Sequence, residues 1–68
     1  MNDIVSGQRI GAFVLLTDEE GFRHAIRPNA VLTLSDGDDQ QGTTCVQLPG
    51  GRVVLIHASL DDVLMWFG

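Results

Sequence analysis

Lysine is absent from this sequence, and four arginines stand against nine aspartates and glutamates, for a net charge of −5. A surface of that sign repels phosphate backbones and anionic membranes alike. It disfavours nucleic acid and, taken as a whole, suits a basic partner. The missing lysine also excludes a phosphate loop of the GxxxxGK[ST] type, so Gly50-Gly51 reads as a turn. Cys45 is the single cysteine, which rules out an intrachain disulfide and fits a reducing compartment. No apolar run approaches the ~20 residues of a membrane span. The first eleven residues, MNDIVSGQRIG, lack the basic and long apolar regions of a signal peptide. The expectation is a cytoplasmic protein with no membrane insertion.

Catalytic and metal motifs are equally scarce. His24, His57 and Cys45 are zinc-type ligands, but their spacing matches no ligand signature. Asp36-Gly37-Asp38-Asp39 faintly resembles a calcium loop. Counting from Asp36, however, Gln41 and Gln47 stand where the glycine and the bidentate glutamate belong. Ser59 lies two residues from His57 with no nucleophile elbow nearby, and as a helix N-cap it already has a role. No cofactor, no metal and no enzymatic activity are expected.

What the chain does hold is strand pattern. Sixty-eight residues make a single domain. So short a chain buries only about 60% of its unfolded surface. Good packing or a partner subunit must supply the rest. Residues 1–11 read as a flexible N-terminal segment and residues 12–68 as the domain. Residues 12–17 are a compact apolar run, Asp18-Glu19-Glu20-Gly21 a tight turn, and residues 22–27 alternate. That alternation places Phe22, His24 and Ile26 on one face and Arg23, Ala25 and Arg27 on the other. Pro28-Asn29 breaks the run. A third strand follows at 30–35, with Leu32 and Leu34 together. After the acidic loop 36–42 comes a fourth strand at 43–48, joining Thr44, Val46 and Leu48 on one face. Residues 52–57 read as the most buried strand, being apolar nearly throughout.

Ser59 then caps a helix whose first turn carries Asp61 and Asp62 at its positive end. Leu60, Val63, Leu64 and Phe67 form its apolar face. Nine residues hold no helix alone in water, so this face must dock on the sheet. The predicted fold is mainly β (α+β): a small antiparallel five-stranded meander or half-barrel covered by one C-terminal helix.

The stretch TTCVQLPGGRVVLIHASLDDVL, with the strand before it, resembles small bacterial proteins of the flagellar protein FlbD (swarming motility protein) type. The matching residues are Thr44, Val46, Leu48, Gly50, Gly51, Val53, Val54, Ser59, Asp62 and Val63. Residues 26–31 resemble that family's strand and corner, with proline and asparagine in inverted order. Strand, turn, strand and Ser-Leu helix also resemble the second half of LytTR-type DNA-binding domains. Against both patterns stand an extra N-terminal stretch, a longer acidic loop and few basic residues. The resemblance implies a small bacterial accessory protein with a link to motility.

Two candidate surfaces remain. Met65 falls nearly opposite the helix's apolar face and Trp66 at its edge, the side chains an interface favours. A homodimer or another protein is their expected partner. Arg23, Arg27 and Arg52 are candidate contacts for an anion or a nucleic acid. Phe13 and Phe22 would serve there as stacking platforms if they do not enter the core. The leading expectation is a non-enzymatic module that works by binding protein. The alternatives are a nucleic-acid-binding regulator on the open sheet face and a phage-type protein that blocks a host factor.

Overall fold

A strand with apolar residues at every second position buries one face and wets the other, and here that period builds two small sheets. The computed structural model describes residues 5–39 and 41–68. In chain order the elements are β1 (Arg9–Ile10), β2 (Phe13–Thr17), β3 (Arg23–Ile26), β4 (Thr33–Asp36), β5 (Thr44–Leu48), β6 (Arg52–Ile56) and α1 (Leu60–Phe67). Short 3₁₀ turns occupy Pro28–Ala30 and Pro49–Gly51. One antiparallel sheet has the order β1-β2-β3 and the other β4-β5-β6. The expected five-stranded meander is corrected to six strands in two sheets. Its interruption lies at Pro28, which winds the chain into a 3₁₀ turn closed by Ala30 N–H on the Arg27 carbonyl at 2.9 Å. β4 therefore starts afresh at Thr33 and pairs with β5 instead of β3. Leu32 is left in the connection, largely exposed, while Leu34 packs on the core.

The two sheets meet at one corner. Asp18 bridges Ile56, and Glu19 N–H donates to the Leu55 carbonyl at 3.1 Å. Their inner faces share a core of Val14, Leu16 and Ile26 from the first sheet and Val46, Leu48, Val54 and Ile56 from the second, with Val63 of α1. Each such side chain contributes about 1.5–3 kcal/mol relative to leaving it in water. Thr44 is fully buried among them and donates its hydroxyl to the Ala58 carbonyl at 2.8 Å, so no polar cost goes unmet. The run 52–57, read as buried on both faces, is buried on one only. Val53 and Leu55 point outward from β6 and are exposed, because among the described residues no layer covers that face of the second sheet.

α1 begins where the cap signal places it: Ser59 Oγ accepts from Asp62 N–H at 3.2 Å. Its docking face departs from the expected one at Leu64. Val63 is buried and Trp66 and Phe67 pack on the core, whereas Leu64 is half exposed. Trp66, at the edge of the stripe, packs against Gly7. A Cβ there would come within 2.4 Å of the Trp66 indole, so the bare glycine forms the shelf on which the ring rests. Gly7 sits at φ +91, which suits glycine and strains other residues. It donates to the Leu15 carbonyl at 2.7 Å, and Leu15 N–H returns a bond to the Gln8 carbonyl at 3.0 Å. Arg9 then donates to the Trp66 carbonyl at 3.1 Å, placing a cation at the negative end of the helix. Of the stretch read as a flexible N-terminal segment, Arg9 and Ile10 thus form β1 and Gly7 and Gln8 bond to Leu15, while residues 1–4 lie outside the described residues.

Candidate functional site

The first sheet has a wet face that is not polar. On β2, Val14 and Leu16 turn inward, so Phe13 and Leu15 turn outward beside Ile10 of β1 and Ala25 of β3. Phe22 joins them. It was expected on the inner face with His24 and Ile26 but is 65% exposed, because it belongs to the turn and not to the strand. Asp18 fixes that turn: its Oδ1 accepts from Glu20 N–H and Phe22 N–H, each at 2.9 Å, and its N–H donates to the Phe22 carbonyl at 2.9 Å. Such a local side-chain bond to the backbone is the ordinary way aspartate closes a turn. Asp18 Oδ2 lies 2.8 Å from His24 Nε2. The hydrogen bond from His24 holds the Asp18 carboxyl below its usual 3.8, helped by the two backbone donors and opposed by desolvation.

Ile10, Phe13, Leu15, Phe22, Arg23 and Ala25 enclose an open groove of about 610 Å³. Its size is that of a ligand or side-chain pocket, and its walls are mainly apolar. The Arg27 guanidinium lies 5.3 Å over the Phe13 ring, a cation–π contact. On the opposite side of β3 lies a smaller groove of about 240 Å³. There Arg27 and Arg52 meet His24, Ala30, Leu48 and Pro49. Arg52 reaches that position because Gly50 and Gly51, at φ +80 and +76, turn the chain sharply between β5 and β6. Of the three arginines singled out in the sequence, Arg23 thus borders the larger groove, Arg52 the smaller one, and Arg27 lies between them.

The acidic turn 18–20 abuts the start of β3, where Arg23 pairs with Thr17. Asp18 pairs with Ile56, Ile56 with Thr44, and Thr44 with Asp36, so the turn 18–20 and the loop 36–39 occupy one end of the molecule. Arg52 pairs with Leu48 at the other end, and Arg27 follows the last residue of β3 there. The acidic total therefore conceals a basic end at Arg27 and Arg52.

The remaining candidates do not converge. Met65 is 79% exposed on α1, with half-exposed Leu64 beside it, but Trp66 is turned inward onto Gly7. His57 is exposed, Ser59 is engaged as the cap, and Cys45 is half-buried opposite Leu55. Among the described residues no three His, Cys, Asp or Glu side chains cluster as a metal site. Within loop 36–42, Asp38 Oδ1 accepts from Gly42 N–H at 3.2 Å. Among the described residues no helix is long and apolar enough to cross a membrane. The groove-lining roles of Ile10 and Leu15 escaped the sequence reading. For Leu15 the only signal was that residues 12–17 are apolar on both faces, which a buried strand would share.

No family model, curated protein or solved structure matches the chain.

Proposed function

We propose that this is a non-enzymatic binding module that takes a partner protein on the outer face of its first sheet. The observation carrying this reading is the apolar groove between Phe13 and Phe22, left uncovered in a chain whose core is small. Exposed aromatic surface around a concavity is where a few side chains supply most of the affinity in protein interfaces. The resemblance to the flagellar FlbD-type family supports placing that partner in a motility assembly, and a phage-type blocker of a host factor would use the same face. Self-association has its own observation, the exposed Leu64–Met65 pair on α1, and would leave the sheet face free for a second protein.

A nucleic-acid reading draws on the exposure of both phenylalanines between arginines. Two features weigh against it. Arg27 lies over the ring of Phe13, on a face that a stacked base needs. The chain as a whole is also strongly acidic. The test is capture from a bacterial lysate with and without nuclease, using the wild type and Phe22→Ser. Retention that survives nuclease and disappears in Phe22→Ser supports the module. Retention abolished by nuclease would replace it with the regulator.

A further inference from the structure

β3 ends its sheet, and among the described residues no strand pairs with its outward edge. Leu15 directs its N–H and C=O toward Gln8 and Gly7 on the β1 side. The Leu15–Ala25 pair is therefore a non-hydrogen-bonded one, and Ala25 points its own N–H and C=O away from β2. Ala25 lines both grooves, the larger on the outer face and the smaller on the inner side. An open strand edge flanked on both sides by concavities has the form of a site for strand addition, where main-chain bonds supply affinity and alternate side chains fill pockets.

Resting on the proposed function, we propose that the partner of this face is an extended acidic segment that adds to β3 as an antiparallel strand. Charge selects the occupant. Residues opposite Arg23 and Arg27 lie on the outer face with the residue opposite Ala25 between them, so carboxylates fit the flanks and an apolar side chain fits the centre, beside Leu15 and Phe22. Residues opposite His24 and Ile26 enter the smaller groove against Leu48 and Ala30, under Arg52. A second copy of this chain is a poor occupant. Two β3 strands paired antiparallel about Ala25 would set Arg23 against Arg27 twice, and like charges directly opposite are destabilising. The same arginines guard the edge against self-aggregation and admit a strand of opposite sign.

The experiment titrates the isotope-labelled protein with a blocked peptide whose centre reads Glu-Val-Leu-Val-Glu, followed by amide NMR and hydrogen exchange. Saturable shifts along residues 23–27 are expected, with slower exchange at the Ala25 amide. N-methylation of the central leucine should abolish binding, while N-methylation of an adjacent valine, whose N–H points away from β3, should spare it. Exchanging glutamate for lysine in the peptide should abolish binding. Reversing both charges in Arg23→Glu/Arg27→Glu should weaken it about tenfold or more, as expected for two cross-strand pairs turned repulsive. No saturable shift, or equal binding by the two N-methylated peptides, overturns strand addition. Shifts confined to Phe13, Leu15 and Phe22 would also overturn it while leaving the binding face in place. Loss of lysate capture with Phe22→Ser judges that face separately. Tighter, salt-sensitive binding of oligothymidylate at residues 23–27 would assign the edge to nucleic acid and overturn the acidic strand.

Discussion

Gly7→Ala tests the contact that orients the helix. The added Cβ would stand 2.4, 2.6 and 2.7 Å from three atoms of the Trp66 indole, distances at which the ring or the backbone must move. The ring is held by the core beneath it and by the end of α1, so it cannot swing aside as a flexible tip would. Forcing a methyl group into a packed site costs about 1–3 kcal/mol. Placing alanine at φ +91 adds roughly 1–2 kcal/mol for the left-handed backbone. A chain of this length has a total stability of roughly 3–10 kcal/mol, so about 2–5 kcal/mol from the two terms together is a large share of it. The measurement is urea unfolding followed by circular dichroism and by the fluorescence of Trp66, the only tryptophan. In a Trp66→Ala background the same change should cost only the backbone part, about 1–2 kcal/mol. A loss below about 0.5 kcal/mol for Gly7→Ala in the wild-type background would mean that Trp66 does not rest on Gly7.

Two predictions concern single hydrogen-bonding groups. Ser59→Ala should destabilise by about 1 kcal/mol, the usual cost of a lost N-cap, with the strands unchanged by circular dichroism. Asp18 has a folded pKa below its unfolded value, so its contribution is complete above about pH 4 and fades as pH falls through that value and then the lower folded one. Urea midpoints measured from about pH 5 to about pH 2 should therefore fall less steeply for Asp18→Asn than for the wild type. Parallel curves would show that the turn carboxylate is not coupled to folding.

How legible the fold was depended on whether the signal was local. The Ser59 cap, the turn at 49–51 and the inward set of Thr44, Val46 and Leu48 each follow from residues within a few positions of one another, and α1 and β5 stand where those signals place them. The break at Pro28 was visible, but not its consequence, since a proline can end a strand without telling which strand pairs next. The departure of α1 at Leu64 was not legible. By spacing, Leu64 belongs to the apolar stripe and Trp66 to its edge; Leu64 is half exposed, and the packing of Trp66 depends on Gly7, 59 positions earlier in the chain. β1 was missed for the same reason. Two residues between glycines carry no period, and their pairing is imposed by β2.

The surface shows the same division, with opposite consequences for function. Net charge argued for a basic partner, and it is an average over the whole molecule. Because Asp18, Thr44 and Asp36 are tied by pairing through Ile56, the turn 18–20 and the loop 36–39 share one end. Arg27 and Arg52 are brought to one groove at the other. A partner meets the field within about a Debye length, ~8 Å at physiological salt, and not the sum. At the Arg27 end of β3 two arginines share a groove with apolar residues, while its Arg23 end abuts the acidic turn 18–20. The alternation of Arg23, Ala25 and Arg27 was already plain in the sequence as one face of a strand. The proposal of a binding edge rests on two further facts: that Leu15 turns its backbone toward β1, and that among the described residues no strand follows β3 in its sheet.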